Sequence, residues 1–152
     1  MSSNDLRQVR GYINARMAVV EPTFKEWTDS SEDIGNIPKT KLDKSYIVQI
    51  GESSSTPQTD KHIEDSQPVV ISIFRRSFND LTGTRDDLMQ VANCIRLDMI
   101  KPQNIEDYKF ANDGNIEAVE SVRLTPSSID VTNDNIEKVE IELLVRLFIG
   151  IA

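Results

Sequence analysis

From Val139 to Ile151 every second residue is apolar: Val139, Ile141, Leu143, Val145, Leu147, Ile149 and Ile151. Between them stand Glu140, Glu142, Leu144, Arg146, Phe148 and Gly150. A strand sends alternate side chains to opposite faces, so the pattern predicts one long β-strand with an unbroken apolar face. Its first half offers two glutamates to water and its second half offers Leu144 and Phe148. The strand is therefore expected to pass from half-exposed to buried on both sides. A free edge this apolar would template aggregation, which places the strand inside a sheet rather than at its rim. The rest of the chain is expected to pack against it.

A chain of 152 residues is long enough for a single domain with a core that needs no metal or disulfide staple. Cys94 is the only cysteine, so no intramolecular disulfide can form and nothing points to secretion. Met1-Ser2-Ser3-Asn4-Asp5 has neither the basic nor the apolar region of a signal peptide. No apolar run approaches the ~18 residues of a membrane helix, and assembly in the cytoplasm is expected. The net charge of −8 is uneven. Residues 103–142 hold ten acids against Lys109, Arg123 and Lys138. A protein that grips DNA by its phosphates needs the opposite balance, which argues against tight nucleic-acid binding. It leaves open DNA that slides past without sticking.

Read in order, the chain predicts an α+β fold: a mainly antiparallel or mixed sheet with two helices packed on one face. Leu6, Val9, Ile13, Met17 and Val20 recur at helical spacing behind a cap at Ser3 or Asn4, and Pro22 ends that helix. Ser45 to Ile50 reads as a strand closed by Gly51. The polar stretch Glu52 to Gln67 is expected to form an extended or mobile hairpin loop before a strand over Val69 to Phe74. Thr84 is placed as the cap of a second helix, with Asp86 and Asp87 in its first turn and Leu88, Val91, Ala92, Ile95 and Met99 as its buried stripe. Pro102 marks its end, and Tyr108 and Phe110 fall in a loop. Ile116 to Leu124 reads as a strand interrupted by Pro126-Ser127-Ser128 and resumed at Ile129. Thr132 to Asn135 is a turn signal before the last strand.

The residues of familiar catalytic and metal sites are scarce. His62 is the only histidine and is assigned to the polar loop; Cys94 falls mid-helix, expected buried or half-buried, with no cationic cluster to make a thiolate. Zinc and Cys–His chemistry are hard to build from these two, so no cofactor and no metal is expected. Asp86-Asp87 and Glu106-Asp107 are adjacent pairs, which do not share a face. Glu140 and Glu142 do share one, and an acid-catalysed hydrolase would need them in a concave pocket with a raised pKa; a solvated sheet face is the simpler reading. Phosphate-cradling GxxxxGK[ST], GxGxxG and GxSxG patterns are absent, and enzymatic activity is not expected.

The whole chain resembles the tail terminator family of long-tailed bacteriophages, the group that includes the minor tail protein U type. The likeness lies in the helix Asp5–Val20 and in Phe24-Lys25-Glu26-Trp27 leading into a polar stretch. It continues through Tyr46-Ile47-Val48-Gln49-Ile50-Gly51, the long polar loop, and Val69 to Arg76. Asp86-Asp87-Leu88 and the acidic-then-apolar last strand complete it. The resemblance implies a virion protein forming a homo-oligomeric ring, a hexamer in that family, on the head-proximal end of the tail tube. Its partners would be copies of itself, the tail tube protein and a head connector or neck protein, with DNA passing through the lumen. Arg75, Arg76, Arg85, Glu52 and Asp60 are its candidate contacts with neighbouring subunits or the tube, and the acids of 103–142 would line the lumen. A neck, stopper or tail-completion protein stands beside it. From another class comes a small monomeric α+β module binding a ligand or peptide.

Overall fold

Three long antiparallel strands form the frame of the computed structural model, which describes residues 3–27, 42–51, 54–59, 62–77, 81–131 and 134–150. In chain order the elements are α1 (Ser3–Val20), β1 (Lys25–Glu26), β2 (Ser45–Ile50), β3 (Ser54–Thr59), β4 (His62–Ser77), α2 (Leu81–Met99), α3 (Pro102–Asn112), β5 (Ile116–Val131) and β6 (Asp134–Gly150). The six-stranded sheet runs β1-β2-β4-β6-β5, with β3 also paired to β4. Only β1 and β2 are parallel; every other pair is antiparallel, so the fold is α+β with a mixed sheet.

The apolar C-terminal strand sits inside the sheet, between β4 and β5. Val139, Ile141, Leu143, Val145 and Leu147 are each at most 2% exposed and share a core with Val69, Ile71 and Ile73 of β4. The helices cover this one face. They contribute Val9, Tyr12, Ile13 and Met17 from α1, Leu88, Ala92, Ile95 and Met99 from α2, and Ile105 from α3. The helix layer is pinned by Tyr12, whose hydroxyl donates to the Met99 carbonyl at 2.6 Å, and by a two-point contact of Arg16 with Asp98 at 2.6 and 2.8 Å. On the opposite face Leu42, Phe74 and Ile136 form a smaller cluster with Trp27 and Ile47.

Several expectations need correction. Three helices, not two, occur among the described residues: the segment carrying Tyr108 and Phe110 is α3, not a loop. Pro102 ends α2 but opens α3 at a first-turn position, where its missing N–H costs nothing. Only Ile105 of α3 is buried, so no apolar stripe announced it. α2 begins at Leu81, which puts Asp86 and Asp87 beyond its first turn. The described residues of the stretch Glu52–Gln67 are paired strand: β3 and the first part of β4 pair on the side of β4 that β2 occupies further along. His62 thus opens β4 and is no loop residue. β5 runs through Pro126 without interruption; an edge strand tolerates proline on its unpaired side. Its uneven alternation comes from two register shifts, between Ile116 and Ala118 and between Ser121 and Arg123. Leu144 and Phe148 are half-buried, because the helices cover only the other face of β6.

Candidate assembly surfaces

The register of the long strands fixes where the surfaces lie. β4 and β6 pair from His62 opposite Gly150 to Ser77 opposite Asn135. At ~3.3 Å per residue this ladder is roughly 50 Å long. The Thr59–His62 pair of β3 and β4 and the Val131–Asp134 pair of β5 and β6 therefore lie at opposite ends of it. Across the strands, β1 and β3 bound one edge and β5 the other. The protein thus has two ends and two distinct edges.

Arg75 and Arg76 are neighbours near the end of β4 and point to opposite faces, opposite Glu137 and Ile136 of β6. The Arg76 N–H donates to Asp43 Oδ1 at 2.9 Å. Arg85, on α2, is committed within the chain. Its Nε donates to Oε2 of Glu137 at 3.1 Å and its Nη2 donates to Ser128 Oγ at 2.6 Å. Ser128 in turn donates to the Glu137 carboxylate, whose oxygens lie 2.8 and 2.9 Å away. Glu137 is 1% exposed, and this cluster is what satisfies its charge. Glu52 and Asp60 lie outside the described residues. The three arginines are thus brought to one end of the sheet, but only Arg75 and Arg76 stand there together on one strand.

Glu140 and Glu142 share the helix-free face, as their spacing requires, and each is tied to a cation. Lys138 Nζ is 2.8 Å from Glu140 and Arg123 Nε is 2.9 Å from Glu142, with Arg146 Nε 3.1 Å from Glu120 alongside. The Lys138–Glu140 pair lies along β6 and the other two cross between β5 and β6, and together they make a solvated sheet face. The acids of 103–142 are not gathered on one surface: Glu140, Glu142 and Glu120 lie on this face, Glu137 is buried, and Glu106, Asp107, Asp113 and Glu117 are exposed on α3, at its C-terminal end and on β5. Cys94 is exposed rather than buried. Among the described residues no three His, Cys, Asp or Glu side chains are grouped to hold a metal ion. None of the helices described is long and apolar enough to cross a membrane.

Three tyrosines have phenol pKa values held above the ordinary range, and burial is the main cause in each. Tyr46 is pushed up to about 12, with Glu26 adding to the shift and Arg10 opposing it. Asp98 adds to the burial effect on Tyr12. Tyr12 and Tyr108 meet edge to face at 5.5 Å, joining α1 to α3. These are structural phenols of the helix layer.

A groove of about 470 Å³ opens at the β1–β2 edge, lined in part by Lys25, Trp27, Lys44 and Ser45. Lys44 sits there with φ 58°, a left-handed conformation that costs a side-chain-bearing residue energy. Its N–H donates to the Phe74 carbonyl at 3.0 Å and its own carbonyl accepts from the Lys25 N–H at 3.0 Å, which fixes that conformation. On the far side Phe110 of α3 is 95% exposed. The sequence announces neither feature: Phe110 lies on a helix with no apolar period, and the groove depends on a parallel β1–β2 pairing that a two-residue strand does not signal. No protein-family model matches this chain, and no curated protein matches its sequence.

Proposed function

We propose that the chain is a structural subunit of a long-tailed bacteriophage, forming a ring that caps the head-proximal end of the tail tube. Such a ring stops further addition of tube subunits and offers the surface on which the head connector is joined. A ring subunit needs two different lateral surfaces to meet its neighbours and two ends to meet what lies below and above. The observation that carries the proposal is the pairing of β4 with β6 from His62 opposite Gly150 to Ser77 opposite Asn135, which sets the Thr59–His62 and Val131–Asp134 pairs at opposite ends of a frame with two unlike edges. The order of elements, shared in outline with tail terminators, supports the same reading. In this role Glu140 and Glu142 are surface charges held by Lys138 and Arg123, and the chain turns over no substrate.

The test is to add the purified protein to growing tail tubes and measure tube length and end labelling by electron microscopy. Arrest of growth with label at one end is the expected result. Tubes that keep growing without label reject the proposal. Binding to filled capsids but not to tubes would move the chain to the head side, as a neck or stopper protein.

A further inference from the structure

We propose that the chain associates head to tail with a second copy of itself, the exposed Phe110 of one copy seating in the Lys25–Trp27–Lys44 groove of the next. The proposal rests on the reading of the chain as a self-assembling subunit and names the contact.

The two surfaces occupy diagonally opposed corners of the sheet. Lys25 stands opposite Ser45, and Ser45 opposite Phe74, which in turn faces Lys138 near the start of β6. Ile116, just after α3, stands opposite Leu147 near the end of β6 and on the other edge. Nine residues of β6 and four strand spacings separate the corners. At ~3.3 Å per residue and ~4.8 Å per strand, that is roughly 35 Å. The Debye length at physiological salt is ~8 Å, so neither corner feels the other within one chain.

The corners are complementary in charge and in shape. Around Phe110, the exposed Glu106, Asp107 and Asp113 make no ion pair among the described residues, although Gln103 Nε2 donates to Asp107 at 2.8 Å; of the cations there, Lys109 is 3.8 Å from Glu117 and Arg7 stands beside Asp113. In the groove Lys25 and Lys44 are exposed and likewise make no ion pair among the described residues. Of the acids there, Glu26 is neutralised by Arg10 at 2.9 Å, while Asp43 accepts from the neutral Arg76 N–H and keeps its charge, so the two lysines leave the groove net positive. Trp27 is half-buried and supplies an aromatic wall. An aromatic knob with three unpaired carboxylates beside it thus matches a groove walled by an indole and carrying two unpaired ammonium groups, the arrangement of an interface anchor. A two-fold contact would need both corners of each copy within one shared patch, and they lie on opposite edges of the sheet. A head-to-tail contact sets unlike charges together and closes into a ring when its rotation allows.

Trp27 is the only tryptophan, so its emission reports the contact directly. The full-length protein is followed through a dilution series by light scattering and by Trp27 emission, at low and high salt. Association is expected to shift the emission to shorter wavelength and to weaken with salt. Phe110→Ala should weaken it roughly 30-fold, the scale of a buried aromatic anchor. A Lys25→Glu/Lys44→Glu variant and a Glu106→Lys/Asp107→Lys variant should each fail to associate alone, yet associate when mixed. Unaltered association in all three variants overturns the contact and leaves a ring built on other surfaces. A wild-type protein that stays monomeric with unshifted emission at its highest soluble concentration also overturns it, while arrest of tube growth judges the ring separately.

Discussion

Arg85→Met asks whether the α2 arginine serves the fold or an intermolecular contact. The substitution keeps the aliphatic stem and removes the Nε and Nη2 bonds to Glu137 and Ser128. Glu137, 1% exposed, is then left with the Ser128 hydroxyl, whose single proton satisfies one carboxylate oxygen at a time. Removing one partner of a fully buried ion pair costs about 3–5 kcal/mol. The Arg85 side chain is 43% exposed, so water reaches that side of the pair and the cost falls to about 2–3 kcal/mol. For a chain of this length that is a fall in Tm of roughly 5–10 °C. Glu137→Gln leaves an arginine able to turn to solvent and should cost only about 1 kcal/mol. Urea unfolding of the two variants and their combination, at several protein concentrations, measures the coupling. A loss under about 0.5 kcal/mol for Arg85→Met would refute the intrachain role. So would a loss that grows with protein concentration, because it would place Arg85 between subunits.

Tyr12→Phe leaves the Met99 carbonyl without its buried donor and should cost about 1–2 kcal/mol in the same unfolding assay. The tyrosines also set an alkaline limit: their folded pKa values lie above the unfolded value of about 10, so their stabilisation is complete below pH 10 and is lost as pH rises above it. For Tyr46 the loss is complete near pH 12, and Tyr12→Phe should flatten the decline seen by circular dichroism. Gly11→Ala puts a Cβ 2.4 Å from the Tyr108 hydroxyl and should destabilise by about 1–2 kcal/mol. With Tyr108→Phe the next atom is 3.6 Å away, and the same alanine should instead stabilise by about 0.5–1 kcal/mol relative to Tyr108→Phe alone. Lys44→Gly relieves the left-handed strain and should raise stability by about 1 kcal/mol while weakening self-association. A variant no more stable than wild type would argue against that strain.

What the sequence made legible was whatever one strong period dictates. The apolar parity of Val139 to Leu147 fixed a central strand, and Val9, Ile13 and Met17 with Leu88, Ala92, Ile95 and Met99 fixed two helices, because burial of one face demands those spacings. Tyr12 lies on the same stripe but went unread, since a phenol joins a core only when its hydroxyl finds a partner such as the Met99 carbonyl. α3 was invisible because its single buried residue sets no period. Ser54–Thr59 carries no apolar alternation, so its composition predicts a hairpin loop; its backbone pairing with β4, not its side chains, makes it strand. The arginines were seen, but not that Arg85 serves a glutamate 52 residues away. Phe110 and the Lys25–Trp27–Lys44 groove needed the register before they could be seen as opposite corners.

The central claim, a ring that ends the tail tube, is tested most directly by electron microscopy of phage tails assembled without this chain. Tubes of uncontrolled, excessive length that never acquire heads are the predicted result. Tubes of normal length joined to heads would contradict it.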